Sequence, residues 1–301
     1  MKIISLLSLI IFIFTSICFA FESPEELSKK AILHFQNGDT LTSIPLFQKA
    51  YEICKEKYGL HNDDTMACLS NLALAYKNSG SNEEAISLLK TYSEYKKLKK
   101  GKNSQEVAAA FEAIGDMYAL EGNYELAVRN QNEVVNIKKI LVGHKNEDTI
   151  FSLNKLGLYF YELGQYEKAH NILSDAFEKS IDLLGSRHST SLFIAANLSA
   201  ACRSLGQYEN SMQLSEKNAK ISKKNLGSDH QVTKGLMNEL GQCYAQKGEF
   251  DKGIQVFQEL LENRKTAAQN EYLFYRKVLL TRQVNRYYYW HRNCCVFFDG
   301  K

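Results

Sequence analysis

The sequence predicts an all-α fold: an α-solenoid of six 42-residue helix-turn-helix repeats followed by a C-terminal capping helix. Three observations predict it. One glycine series runs Gly38, Gly80, Gly122, Gly164, Gly206, Gly248, and a second runs Gly59, Gly101, Gly143, Gly185, Gly227, every step being 42 residues. Only two prolines occur in 301 residues, Pro45 being the one inside the body, so the residue that most often stops or kinks a helix is nearly missing. Between the glycines the apolar residues recur at helical spacing.

The chain begins with a targeting pattern. Met1-Lys2 supplies a positive charge, Ile3 to Ile17 is an apolar run, and Cys18-Phe19-Ala20 ends on a small residue. Residues 1–20 are therefore read as a secretory signal peptide cleaved after Ala20, which makes the protein secreted or periplasmic. The alternatives are a retained N-terminal membrane anchor, because the uncharged stretch runs on to Phe21, and acylation at Cys18, which the bulky Ile17 disfavours. No second hydrophobic run reaches membrane length.

The repeats fill residues 21–266, at about 24–58, 62–100, 104–142, 146–184, 188–226 and 230–266. At each lattice glycine the chain is expected to take a positive φ, ending one helix before the next begins. After the first series an aromatic and an acid recur, as in Asn123-Tyr124-Glu125 and Gln165-Tyr166-Glu167. The aromatic packs into the hairpin turn, and the acid meets the positive end of the helix dipole. After the second series come short polar stretches such as His61-Asn62-Asp63-Asp64-Thr65 and Ser228-Asp229-His230, residue types that cap helix starts. In the first helix of each pair, Leu69, Leu72, Ala73 and Tyr76 share a face, echoed by Leu156, Gly157 and Phe160. In the second helix one lattice position holds only tiny residues: Ser43, Ala85, Ala127, Ala169, Ser211 and Gly253. Such a position is where two helices meet backbone to backbone. Lysines at 96, 97, 99, 100, 138, 139, 220, 223 and 224 close second helices and complement their dipoles.

Cleavage would leave Cys54, Cys68, Cys202, Cys243, Cys294 and Cys295, with no CxxC pair. Buried free thiols are the expectation, and a Cys202–Cys243 bridge between neighbouring first helices is the alternative.

The run Leu72-Ala73…Tyr76…Gly80…Ala85, and Leu156-Gly157…Phe160…Gly164-Gln165-Tyr166-Glu167-Lys168-Ala169, resembles the tetratricopeptide repeat. The 42-residue period, the Gly-x-x-His loops and Ser70-Asn71-Leu72-Ala73 are similar to the longer subclass found in kinesin light chain. The resemblance covers about residues 24–266. It implies a right-handed superhelix whose first helices line a concave groove that holds an extended peptide through asparagines and basic side chains. Carried onto this sequence, the groove position falls on Asn71 and Asn197, with Lys155 in the fourth repeat. Ala113 and Glu239 depart from that pattern, so the series is not uniform. Asn154 and Asn238 sit one place earlier, and Tyr161, Arg203 and Gln242 are further groove candidates. Each asparagine has an alternative role, bonding between helices.

No catalytic constellation is present in the sequence: no G-x-S-x-G, H-E-x-x-H or G-x-G-x-x-G, and no full phosphate-cradling loop. His61, His144, His188 and His230 lie in separate loops and are read as capping or packing groups, so no metal or other cofactor is expected. Asn197-Leu198-Ser199 is a glycosylation triplet placed inside a helix, where an acceptor is seldom reached. A net charge of +3 gives no reason to expect nucleic acid.

Residues 267–290 break the period and suit a capping helix over the last repeat, and residues 291–301 form a tail of unassigned role. The functional expectation is an exported, monomeric, non-enzymatic scaffold for a protein or peptide segment, touching a membrane only through a retained or lipidated N-terminus. The alternatives are a self-associating envelope component and a regulatory module of an enzyme system.

Overall fold

The computed structural model describes residues 22–262. Those residues form twelve α-helices and no strand. In chain order they are α1 (Pro24–Gln36), α2 (Thr40–Tyr58), α3 (Asp63–Ser79), α4 (Asn82–Lys100), α5 (Gln105–Leu120), α6 (Tyr124–Val142), α7 (Glu147–Glu162), α8 (Tyr166–Leu184), α9 (Ser189–Ser204), α10 (Tyr208–Leu226), α11 (Gln231–Gln246) and α12 (Phe250–Glu262). The expected signal peptide, capping helix and tail lie outside the described residues. None of the described helices is long and apolar enough to cross a membrane.

Odd-numbered helices are the first members of each pair, and one lattice position caps five of them. Asn62 accepts from the Asp64 amide at 2.7 Å, Ser104 from Val107 at 3.4 Å, and Asn146 from Asp148 at 2.9 Å. His188 and His230 continue the series through Nδ1, accepting from Thr190 at 3.4 Å and Val232 at 3.2 Å. Each of these side chains satisfies an amide that the helix itself leaves without a partner. Capping thus explains two of the loop histidines, and His61 stacks on Tyr95 with ring centroids 6.2 Å apart.

The two glycine series adopt positive φ throughout, but they end their helices differently. In the first series the residue after the glycine reaches back to the fifth residue before it. These bonds are Asp39 N to His34 O (2.9 Å), Ser81 to Tyr76 (3.0 Å), Asn123 to Tyr118 (2.8 Å), Gln165 to Phe160 (3.0 Å), Gln207 to Cys202 (2.9 Å) and Glu249 to Tyr244 (2.9 Å). That is the Schellman ending, and Gly80 supplies its left-handed residue at φ 81, ψ 6. The second series combines positive φ with extended ψ: Gly101 sits at φ 88, ψ 158. Only glycine populates that region freely. The bend it makes is locked by a threonine in three repeats, where Thr65, Thr149 and Thr233 each donate to the carbonyl of Gly59, Gly143 or Gly227 at 2.8 Å. Ser191 replaces the threonine in the fifth repeat, and its buried Oγ has no hydrogen-bond partner.

The described residues divide into two packed units, with the boundary between Leu141 and Val142. In the first, α1 through α5 pack in sequence, α5 meets α6 through Val107, Ala108 and Ile137, and α1 also touches α3. In the second, α7 through α12 pack in sequence, while α7 touches α9 and α9 touches α11. The small-residue position is buried in every second helix. Ser211 there donates to the Ser199 carbonyl at 2.8 Å, and the Cβ of an alanine at Gly253 would lie 3.2 Å from the Gly241 carbonyl. The core is a series of small clusters, such as Ala31, Phe47, Leu72 and Ala75 in the first unit, and Leu192, Ala195, Leu236 and Met237 in the second. Each cluster joins only neighbouring helices, as stacking of repeats requires. Terminal lysines close α4 and α10 at their dipole ends, and several also pair with acids: Lys99 with Asp63, Lys100 with Glu106, and Lys223 with Glu259.

The two kinds of glycine make a testable contrast, because a Cβ at either Gly80 or Gly101 would meet no atom within 4 Å. Any cost of alanine there is a backbone cost. Gly80→Ala should lower stability by about 1 kcal/mol and Gly101→Ala by about 2–3 kcal/mol in urea denaturation. Equal losses would contradict the assigned conformations.

Candidate functional site: the first helices of the second unit

Seven residues are close to two helical turns, so positions seven apart lie near one line along a helix. Along α7 that line runs Glu147, Asn154, Tyr161, and along α9 it runs Thr190, Asn197, Ser204. The two lines are bonded rung by rung. Thr190 Oγ1 donates to Glu147 Oε1 at 2.9 Å, Asn197 Nδ2 to Asn154 Oδ1 at 2.9 Å, and Ser204 Oγ to the Tyr161 hydroxyl at 3.2 Å. Every rung spans 43 residues, one repeat plus one. A polar ladder thus holds these two first helices in fixed register.

The next junction, α9 to α11, uses charge. Arg203 Nε donates to Glu239 Oε2 at 2.8 Å, with the side chains only 5% and 10% exposed. Burial alone would favour the neutral guanidine. Glu239, and then Tyr161, outweigh it and hold Arg203 charged, above its ordinary pKa. Burial raises the Tyr161 phenol, while the Arg203 charge pulls it the other way. Tyr161 also packs against Tyr166, ring centroids 5.3 Å apart.

The sequence-predicted groove residues therefore fall into two sets. Asn154, Arg203 and Gln242 are buried, the first two being bonded to neighbouring first helices. Asn71, Lys155, Tyr161, Asn197 and Asn238 are half-buried. Asn71 lies on α3, in the first unit. Asn197, the acceptor of the glycosylation triplet, is bonded within a helical ladder.

The structure also exposes residues that the sequence reading passed over. Phe151 on α7 is 43% exposed and Phe193 on α9 is 37% exposed, and they occupy the same lattice position, 42 residues apart. Each lies one turn before a groove candidate on the same helical stripe, Phe151 before Lys155 and Phe193 before Asn197. The Lys155 ammonium stands 5.9 Å from the Phe151 ring centroid. Recurrence of an aromatic at one lattice point was visible in the sequence, but aromatics at helical spacing are ordinarily core residues. Among the described residues no group of three or more His, Cys, Asp or Glu is placed to hold a metal ion.

Removing one partner of a buried ion pair leaves an uncompensated charge. Glu239→Leu should cost about 3–5 kcal/mol of stability in urea denaturation, and adding Arg203→Met should recover much of that loss. A double variant as unstable as the single one would show that the pair does not join α9 to α11 as described.

Comparison with known proteins agrees with the helix-pair fold. The family model described as tetratricopeptide repeat matches residues 26–97, 106–180 and 191–266. Among solved structures, a Podosopora anserina chain of nearly identical TPR-like repeats, of kinesin light chain type, is 21% identical. It superposes with a TM-score of 0.60, covering 68% of this chain and 98% of its own. BtubC (BKLC) from P. vanneervenii is 17% identical with a TM-score of 0.56, covering 67% and 81%. The apo form of RapI is 14% identical with a TM-score of 0.56, covering 84% and 97%. At these identities the likeness is one of fold. No curated protein sequence matches the chain. With three stretches of the family model spanning most of its length, the chain belongs to the tetratricopeptide repeat family.

Proposed function

We propose that this chain is an exported scaffold that holds a peptide or protein segment on the exposed face of its first helices, centred on Phe151, Lys155, Phe193 and Asn197. Tetratricopeptide repeat arrays serve in general as protein-interaction scaffolds and are generally non-enzymatic. The observation that carries the finer reading is the pair of exposed aromatics on α7 and α9 at one lattice position. Exposed aromatics keep few rotamers to lose and bury large area on contact, which is why they dominate binding energy where they occur. The ladder joining α7 to α9 fixes the spacing of the helices that carry them before a ligand arrives, so little ordering cost falls on binding. Half-exposed Asn197 and Lys155 supply the amide and the cation that an extended backbone and its carbonyls or terminus would meet. Asn71 offers the same chemistry on the first unit, at the lattice position of Asn197.

Export is proposed from residues 1–20 alone, which carry the layout of a signal peptide. The mature chain is proposed to act as a monomer, which leaves the first-helix face available to another protein.

Affinity selection of random dodecapeptides on the full chain provides a probe of defined sequence. Phe151→Ala/Phe193→Ala should weaken a selected peptide at least tenfold in calorimetry, roughly what one or two aromatic anchors contribute. Asn71→Ala/Asn197→Ala should weaken it less, and Leu183→Ala, an exposed apolar residue on α8, should leave it unchanged. Binding that survives the first-helix variants, or fails with Leu183→Ala, would overturn the proposed face.

A further inference from the structure

The first repeat and the second are joined by an unusual contact. Cys54, in the last turns of α2, and Cys68, in the second turn of α3, bring their Sγ atoms to 3.2 Å, and both are buried. Leu27 and Ala50 complete their cluster, and Ser28 Oγ lies 4.0 Å from the Cys68 sulfur. The backbone holds the two sulfurs face to face. Thr65 Oγ1 donates to the Cys54 carbonyl at 3.1 Å and to the Gly59 carbonyl at 2.8 Å, tying the start of α3 to the end of α2. The bridge weighed from the sequence, Cys202 to Cys243, finds a different geometry: Cys243 gives its thiol to Ser211 Oγ at 3.1 Å, and Cys202 packs against Ala169, Leu173 and Leu198. All four cysteines, Cys54 and Cys68 included, are free thiols in this structure.

We propose that Cys54 and Cys68 are the two halves of a disulfide that staples the second helix of the first repeat to the first helix of the second repeat. The oxidant is a disulfide compound, a small molecule or a thiol–disulfide exchange protein. One cysteine thiolate attacks a sulfur of that disulfide, breaking its S–S bond and releasing one thiolate. The other cysteine then attacks the mixed disulfide, forming the Cys54–Cys68 bond and releasing the second thiolate. Two electrons pass from the cysteine sulfurs to the oxidant, and the two thiol protons go to solvent.

The surroundings decide when this happens. Burial, and then the hydrogen bond to Cys68, hold the Cys54 thiol well above the usual range, so the folded reduced chain presents almost no thiolate there. The bond therefore forms while α2 and α3 are still assembling, and packing then shields it from reductants. The staple closes a loop of 14 residues, a constraint that acts on the unfolded chain. It accumulates in any compartment that supplies a disulfide oxidant during folding, and it does not depend on what the first-helix face of the second unit binds.

The test uses the full chain, refolded from denaturant in mixed reduced and oxidised glutathione, blocked with a thiol reagent and digested with trypsin. Peptide 50–55 should be recovered joined to peptide 58–77, two hydrogens lighter than their sum, and this species should disappear on reduction. The same mixture applied to the already folded, reduced chain should form the link at least tenfold more slowly. The linked chain should melt about 5 °C or more above the reduced chain. That difference should be absent in Cys54→Ala/Cys68→Ala, whose helical circular dichroism shows whether it folds. Recovery of the two peptides as separately blocked or glutathione-bearing species would overturn the proposal. So would their linkage to peptides carrying Cys202, Cys243, Cys294 or Cys295. Equal rates from the folded and unfolded chain would overturn the timing that burial imposes.

Discussion

An α-helix turns about 100° per residue, so a helix that stops one residue late aims every later element in a different direction. This protein meets that constraint with two glycine conformations alternating along a lattice of 42 residues. The Schellman ending at Gly80 and its equivalents satisfies the last carbonyls of each first helix. The extended-ψ ending at Gly101 and its equivalents bends the chain into the next cap, with threonine bonding the bend shut in three repeats. Helix lengths are consequently uniform: second helices α2, α4, α6, α8 and α10 are all 19 residues, and first helices α5, α7, α9 and α11 are all 16. Uniform lengths are what let one lattice position be a cap, another a contact and another a surface.

Most of the fold was legible in the sequence for this reason. A position that must take positive φ admits glycine, and a position where backbones touch admits Ala, Ser or Gly, so both constraints leave a trace in residue type. What the sequence did not separate were cases in which one residue type serves two ends. Gly80 and Gly101 look alike as letters, and only ψ distinguishes them. His188 and His230 share a cap position with Asn62, Ser104 and Asn146, but three residue types hide the common role.

The candidate site was legible in part. Asn154, Tyr161 and Asn197 were marked by the resemblance, and the structure places them on neighbouring first helices, bonded in a ladder. Arg203 looked like a groove cation because its partner Glu239 stands 36 residues away, off the repeat lattice, where periodicity gives no hint of pairing. Phe151 and Phe193 were passed over because exposure is a property of packing, not of residue type. The Cys54–Cys68 contact was hidden for a related reason: a separation of 14 residues matches no motif and depends on how α2 meets α3.

The polar ladder and the exposed aromatics together carry the functional account. One fixes α7 and α9 in register, and the other uses that register to present two rings at a set spacing. Amide hydrogen exchange, recorded with and without a library-selected peptide, tests this most directly because it reports where bound chain stabilises the scaffold. The account predicts slowed exchange concentrated in α7 and α9. Slowing confined to the second helices α8 and α10, with α7 and α9 unchanged, would contradict it.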